Sequence, residues 1–209
     1  MRRTLLVTVL LGAALVLSAC TSPEPPAAES ESPTPTATSG TTTGTEPGTD
    51  LDFGDSAVLA WQPTQDLAGE LELTVVTVAE QRQSVFDGWT RDESMAAARP
   101  YFVTVTLANV GETDLGGQDV PLYLRDTDGT LGAPWTLGGD FTACQSGPLP
   151  VPFEPGAEQE MCLVYLVPDG GRVRDLVFEP TEGYDPITWT GDVEEPVRQR
   201  KDAKKRGRG

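Results

Sequence analysis

Apolar and hydroxyl-bearing side chains alternate along Tyr101–Asn109, and a turn-forming sequence, Val110-Gly111-Glu112, follows. A two-residue period is typical of a strand with one buried face, because successive side chains point to opposite sides. The pattern therefore predicts a central β-strand. Its expected core positions are Tyr101, Val103, Val105 and Leu107, and its expected outward positions are Phe102, Thr104, Thr106 and Ala108. The outward threonines predict an outer face that is solvated or covered by polar contacts, without a second apolar layer.

Six further segments have the length and the branched or aromatic composition of strands, and turn-forming residues separate them. These segments are Ala57–Trp61, Glu70–Ala79, Pro121–Arg125, Gln159–Val167, Val173–Phe178 and Pro186–Thr190, with a weaker candidate at Trp135–Thr142. Seven or eight short strands with recurrent turns predict an all-β fold, an antiparallel β-sandwich. We place this domain at residues 51–191.

The connection Gln81–Arg99 is the longest between two predicted strands. Its residues Thr90 and Glu93 have the spacing of a helix capping box, and Pro100 ends the apolar run that follows. The sequence therefore predicts one or two helical turns starting at Thr90. Because loops on a rigid scaffold often carry binding residues, this connection is either a binding loop or a cover for the sheet edge.

The net charge of −17 is unevenly distributed. Between Leu51 and Val197 there is no lysine, and the only cations are Arg82, Arg91, Arg99, Arg125, Arg172 and Arg174. Such a body repels phosphate, so nucleic acid is not an expected partner. The chain has no histidine, which removes Ser-His-Asp and Cys-His catalysis and the commonest metal ligand. We therefore expect no enzyme, metal or cofactor; an enzyme that uses carboxylates is the remaining catalytic alternative.

The N-terminus has the features of an export signal. Arg2 and Arg3 precede an apolar run, Thr4–Leu17, that is short for a membrane span. The run ends in Leu17-Ser18-Ala19-Cys20, which resembles the lipobox of bacterial lipoproteins at each of its four positions. The resemblance implies cleavage after residue 19 and a lipid on Cys20, which would anchor the protein on the extracellular side of the cell membrane. A plain signal peptide or an uncleaved anchor is the alternative.

Two polar segments flank the predicted domain. Residues 20–50 contain the cysteine followed almost entirely by Thr, Ser, Pro, Glu, Ala and Gly, a composition that predicts a disordered tether. Residues 192–209 are predicted to be a disordered tail whose last dozen residues are basic. That basic end is a candidate for contact with anionic lipid, an acidic wall polymer or the acidic body, or it serves only solubility.

Two cysteines and two tryptophans are the candidate site residues of the body. Cys144 and Cys162 are expected to pair, because an exported domain folds in an oxidising compartment. Trp61 and Trp189 lie within strand patterns and are expected in the core. Trp89 and Trp135 lie in connections and are the candidates for binding a glycan.

The segment Asp126-Thr127-Asp128-Gly129 resembles the start of a calcium-binding loop. An EF-hand requires a glutamate at its twelfth position, and Leu137 stands there instead. The segment therefore predicts a hairpin turn and no metal site.

Leu71–Val78, the strand Tyr101–Asn109 with Gly111-Glu112, and the Pro155-Gly156 turn leading into Met161–Val167 together resemble a known domain. It is the telokin-like, immunoglobulin-fold domain of unknown function found in secreted lipoproteins of high-GC Gram-positive bacteria. The resemblance spans about Glu70–Trp189. It implies an extracellular immunoglobulin-like β-sandwich with no catalytic residues to assign.

The expected function is that of a membrane-anchored lipoprotein presenting a non-catalytic domain for binding or for envelope organisation. One alternative is a cell-wall glycan-binding module that uses Trp89 and Trp135. The other is an accessory subunit that docks on a membrane enzyme or transporter through Gln81–Arg99.

Overall fold

The computed structural model describes residues 44–137 and 141–196, which form ten β-strands, one short α-helix and two 3₁₀ turns. The helix α1 covers Glu93–Ala97, and the 3₁₀ turns cover Gln83–Phe86 and Pro168–Gly170. The fold class is therefore all-β, as predicted. The strands are β1 (Asp50–Asp52), β2 (Ser56–Thr64), β3 (Leu67–Glu80), β4 (Arg99–Asn109), β5 (Tyr123–Asp126), β6 (Leu131–Gly132), β7 (Glu158–Val167), β8 (Val173–Phe178), β9 (Ile187–Thr190) and β10 (Val193–Glu194).

The first sheet has the strand order β1-β9-β8-β5-β6. Its central strand β8 is antiparallel to both β5 and β9. Arg125 of β5 faces Asp175 of β8, and two 2.8 Å hydrogen bonds join the guanidinium to the carboxylate. Asp175 is buried, so this two-point contact supplies the partner that a buried charge requires.

The second sheet has the order β10-β3-β4-β7, and β2 also pairs with β3. The 14-residue strand β3 pairs with β4 along most of its length, with β2 at its start and with β10 at its end. A register shift at Val76 interrupts the β3–β4 pairing, and Val76 is exposed there. The strand β7 pairs with the whole of β4, which makes β4 an internal strand as predicted.

The inner side chains of both sheets belong to one hydrophobic core. On β4 these are Tyr101, Val103, Val105 and Leu107, which are all buried, so the predicted core face of this strand is confirmed. Trp61 and Trp189 are also buried, as predicted. The hydroxyl of Tyr165 on β7 reaches across the core and donates a 2.8 Å hydrogen bond to the carbonyl of Leu122.

Each of the seven main predicted strands occurs, with ends that differ by a few residues. The described residues of the weaker candidate Trp135–Thr142 form no strand; Trp135 alone among them makes an isolated bridge, to Val164, and residues 138–140 lie outside the described part. The sheets are also not wholly antiparallel, because β1 is parallel to β9 and β10 is parallel to β3. These two strands are so short that they join the sheets through a few backbone hydrogen bonds.

Backbone pairing among the described residues extends beyond the predicted domain bounds at both ends. Thr45 donates a backbone hydrogen bond to Val58, Gly48 donates one to Asp185, and Thr188 donates one to Thr49. At the other end, Val193 and Glu194 pair with β3. The polar composition of these residues predicts a tether and a tail, because such residues bury little apolar area. Their backbone groups nevertheless pair with strand edges, which needs no apolar side chain.

The N-cap of the helix α1 lies two residues later than predicted. Asp92, and not Thr90, is its N-cap, because the Asp92 carboxylate accepts a 2.7 Å hydrogen bond from the backbone amide of Met95. Asp and Thr can both cap a helix, and the cap is the residue whose side chain reaches an unpaired backbone amide of the first helical turn. Asp92 lies three positions before Met95 and reaches its amide.

The predicted signal peptide, Cys20, most of the predicted tether and the basic tail fall in residues 1–43 and 197–209, outside the described part. Among the described residues, no helix has the length and apolar character needed to cross a membrane.

Candidate functional site

The outer face of the second sheet, which points away from the core, carries a second hydrophobic cluster, here called the outer cluster. Its buried members are Phe86, Met95, Phe141, Cys144 and Val164, and Phe102 of β4 packs against them. The prediction that this face has no second apolar layer is therefore wrong. The outward side chains of Phe102 and Val164 are large and apolar, and covering them removes apolar surface from water at about 25 cal/mol per Å².

Phe141 lies at the centre of the aromatic contacts in the outer cluster. Its ring stacks on Phe86 with a centroid distance of 5.3 Å. The rings of Trp89 and Phe102 meet it edge-on, at 5.4 Å and 5.9 Å. Stacked and edge-on pairs are the arrangements that aromatic quadrupoles favour. Phe141 therefore links the β3–β4 connection, which supplies Phe86 and Trp89, to the outer face of β4.

The β3–β4 connection is held together by its own hydrogen bonds. The Gln83 side-chain amide donates to the carbonyls of Met95, at 2.9 Å, and Ala98. Arg91 donates to the carbonyl of Gln83 at 3.1 Å. The amide of Met95 and the hydroxyl of Ser94 donate to the carboxylate of Asp92, and these hydrogen bonds lower the pKa of that carboxyl. The segment is thus a folded cover on the sheet, and binding of a partner through it stays a prediction.

The β6–β7 connection is fixed against the free edge of β7 at three points. Trp135 donates a 2.7 Å backbone hydrogen bond to Val164, and the buried hydroxyl of Ser146 accepts one from the amide of Val164 at 3.0 Å. Cys144 lies beside Cys162 of β7 with their Cα atoms 5.3 Å apart, a separation compatible with the predicted disulfide. The described residues of the connection are therefore held against β7 at three positions.

The structure places the two candidate tryptophans on the same face of the second sheet. Trp89 is half-buried against Phe141. Trp135 is opposite Val164, and residues that face each other across two strands point to the same side, so its indole lies on the outer face as well. At 42% exposure, Trp135 presents the larger open surface. Binding of a ligand by either residue stays a prediction.

Next to the outer cluster, the same face holds an open cleft of about 480 Å³. We call it the outer cleft. One wall is the sheet, with Thr104 of β4 and Glu160 and Met161 of β7, and the other is the β6–β7 connection. Its remaining lining residues include Thr142, Gln145 and Pro150, and Cys144 and Cys162 lie between the walls. Hydroxyl, amide and apolar groups dominate, with a single carboxylate, so the cleft suits a ligand that is polar and uncharged.

Asp126 holds the turn that resembled a calcium loop. Its buried carboxylate accepts hydrogen bonds from the backbone amides of Asp128 and Thr130, at 2.9 Å and 2.8 Å. This is the local bonding by which aspartate stabilises turns. Across residues 44–137 and 141–196, no three His, Cys, Asp or Glu side chains are grouped as a metal site would need.

A second, charged cavity of about 310 Å³ lies at the end of β3 and β4. Arg99 and Glu80 form an ion pair there at 2.6 Å, and Arg172 and Glu194 also line the cavity. Burial raises the pKa of the neighbouring Tyr101 hydroxyl. Arg99 is already paired with Glu80, and the remaining charges are of both signs, so this cavity is a weaker candidate than the outer cleft.

Sequence reasoning missed Thr104, Thr142 and Gln145 as candidate site residues. No motif marks them, since threonine and glutamine are common surface residues. The available signal was the cysteine pair, because a bond between Cys144 and the outward-facing Cys162 places the neighbouring loop residues over the outer face of β7.

Comparison with known protein families, with curated proteins and with solved structures yields no significant match for this chain.

Proposed function

We propose that the chain is a bacterial lipoprotein, anchored through Cys20 on the extracellular side of the cell membrane, whose folded domain binds a component of the cell envelope. The lipobox-like sequence Leu17–Cys20 supports the anchor. The close approach of Cys144 and Cys162 supports an extracellular location, since disulfides persist in oxidising compartments. The proposal assigns no catalytic role.

We also infer that the two sheets are the faces of an immunoglobulin-like β-sandwich. Support comes from the hydrophobic core, which contains inner residues of both sheets, including Leu107 of β4, Leu176 of β8 and Trp189 of β9. A sandwich of this kind presents its outer faces and end loops for binding.

The observation that carries the binding role is the outer face of the second sheet. Trp135 is exposed there, and the same face holds a cleft of about 480 Å³ whose far wall is attached to β7. A preformed cleft and an exposed aromatic side chain on one face are typical features of a binding surface. Docking on a membrane protein through Gln81–Arg99 has less support, because the apolar residues Phe86 and Met95 of that segment are already buried in the outer cluster.

The anchor and the binding role can be tested with one pair of variants. In cells, Cys20→Ala is expected to move the protein from the membrane to the medium, because stable anchoring needs two lipid chains or their equivalent. The matched variant Ser22→Ala should stay in the membrane. Membrane retention of Cys20→Ala would refute the lipid anchor.

The released Cys20→Ala protein then tests binding. We expect it to sediment with purified, insoluble envelope fractions from the same cells, and to stay in solution without them. Failure to sediment with any envelope fraction would refute the binding role, whatever the result for the anchor.

A further inference from the structure

The outer cleft has the chemistry of a site for an uncharged carbohydrate. Thr104 and Thr142 supply hydroxyls, and Gln145 supplies an amide that both donates and accepts hydrogen bonds. Pro150 adds apolar surface of the kind that packs against the C–H face of a sugar ring. We propose that the outer cleft binds a neutral glycan chain, an inference that rests on the proposed envelope-binding function and names its ligand class.

Charge distinguishes this ligand from the acidic polymers of an envelope. The cleft lining contains the carboxylate of Glu160 and no Arg or Lys. Glu158, two residues earlier on β7, is exposed and adds a second negative charge to the same strand. A polymer that carries phosphates or uronic acids would be repelled, and its repulsion would weaken as salt screens the charges. A neutral glycan avoids this cost, so its binding should depend little on salt.

Size and rigidity support the same ligand. A volume of about 480 Å³ lies within the range of about 300–1,000 Å³ that is common for small-ligand sites. The far wall is fixed beside Thr142 and Gln145 by Cys144 and by the hydrogen bond from the Val164 amide to Ser146. A site whose walls are held in place loses little conformational entropy on binding, and weak individual contacts to hydroxyl groups then suffice.

Two neighbouring threonines of β4 provide a matched test. Thr104 and Thr106 both point outward, but only Thr104 lines the cleft. Thr104→Val removes the hydroxyl and keeps the shape, and Gln145→Ala removes the amide from the opposite wall. Thr106→Val makes the same chemical change on the same face outside the cleft, and urea unfolding of all three variants checks that each is folded.

The purified full-length chain is titrated by calorimetry with cellohexaose, chitohexaose and dextran as neutral probes, and with polygalacturonate as the anionic probe. We expect at least one neutral probe to bind, with about tenfold weaker binding after Thr104→Val or Gln145→Ala, from the loss of one hydrogen bond in each. Thr106→Val and a rise in salt should leave the affinity unchanged, and polygalacturonate should not bind.

Three results would overturn the inference. The first is that Thr104→Val and Gln145→Ala bind the neutral probe as tightly as the wild type does. The second is that the protein prefers polygalacturonate, and the third is that it binds none of the neutral probes although it still sediments with envelope fractions. The last result would leave the proposed envelope-binding function intact. Failure to sediment with envelope fractions would instead remove the proposed function itself.

Discussion

At the scale of single residues, the side chain of Asn109, the last residue of β4, forms three hydrogen bonds. It is the only asparagine of the chain and is fully buried. Its side-chain amide donates to the carbonyls of Thr113 and Phe153, both at 2.8 Å, and its side-chain oxygen accepts a hydrogen bond from Gly111 at 3.2 Å. The residue thus fixes the turn after β4 and joins it to the segment that precedes β7.

Asn109→Ala should lower the free energy of unfolding by about 2–4 kcal/mol, because it removes the three hydrogen bonds of a fully buried side chain, including the one donated to the carbonyl of Thr113. Urea unfolding followed by intrinsic tryptophan fluorescence measures the change. Gln65→Ala, in the exposed turn between β2 and β3, is the control and should shift stability by less than about 0.5 kcal/mol. A loss no larger than that of the control would show that the Asn109 contacts do not stabilise the fold.

Tyr165 predicts a dependence of stability on alkaline pH. Burial raises the pKa of its hydroxyl well above the ordinary value, so the folded state keeps the proton after an unfolded tyrosine has lost it. Above a pH of about 10 the unfolded chain binds fewer protons than the folded chain, and stability must fall as pH rises. Below that pH, Tyr165 should contribute no pH dependence.

Urea unfolding of wild type and Tyr165→Phe between about pH 8 and 11 tests this prediction. Tyr165→Phe should be less stable at pH 8, since it loses the hydrogen bond to Leu122, and the difference between the two proteins should narrow at the alkaline end. A constant difference over the whole range would contradict a raised pKa at Tyr165. Tyr123→Phe, at the half-buried Tyr123, is the control variant, because it makes the same chemical change at a less buried tyrosine.

At the scale of secondary-structure elements, the sequence was sufficient for the long strands and insufficient for the short ones. Residues such as Val103, Val105 and Leu107 alternate with polar residues over enough positions to reveal a period. The strands β1, β6 and β10 contain two or three residues each, too few for any period. The positions of β1 and β10 also depend on backbone pairing with strands far away in the chain, such as Leu51 with Trp189, whereas β6 pairs with the nearby β5.

The covering of the outer face was unpredictable for a related reason. Alternation along β4 and β7 identifies outward positions but not what will contact them. Phe86 and Phe141 lie in irregular connections, whose course over the sheet depends on tertiary packing. The candidate site was therefore only half accessible to sequence reasoning: Trp89, Trp135 and the cysteines could be named, whereas the outer cleft beside the cysteines could not.

The attachment of the β6–β7 connection to β7 can be tested by removing both cysteines. Cys144 and Cys162 are 18 positions apart in the chain, and closing a loop of that size contributes about 3 kcal/mol in the chain-entropy model. Cys144→Ala combined with Cys162→Ala should therefore lower the free energy of unfolding by about that amount. Addition of reductant should destabilise the wild type to the same extent and leave the double variant unchanged.

An insensitivity of the wild type to reductant would contradict a disulfide at this position. Thiol labelling of the denatured, unreduced protein provides the independent check, since Cys144 and Cys162 should then be unreactive.

At the scale of the whole molecule, charge is separated along the chain. The described residues contain six arginines, no lysine and many carboxylates, whereas the basic side chains of the tail lie beyond residue 196. Composition alone established this separation and excluded histidine-dependent catalysis. It carried no information on the outer cleft, because which polar residues converge there depends on how the connections cross the sheet.

The short parallel strands β1 and β10 affect how readily a shortened form of the protein would aggregate. β1 covers the edge of β9 in the first sheet, and β10 covers the end of β3 in the second. Without these covers, β9 and β3 would present unpaired N–H and C=O groups next to apolar residues, a template on which chains aggregate. A recombinant fragment cut to residues 53–191, or a molecule trimmed there by a protease, should therefore be prone to self-association even though its core is complete.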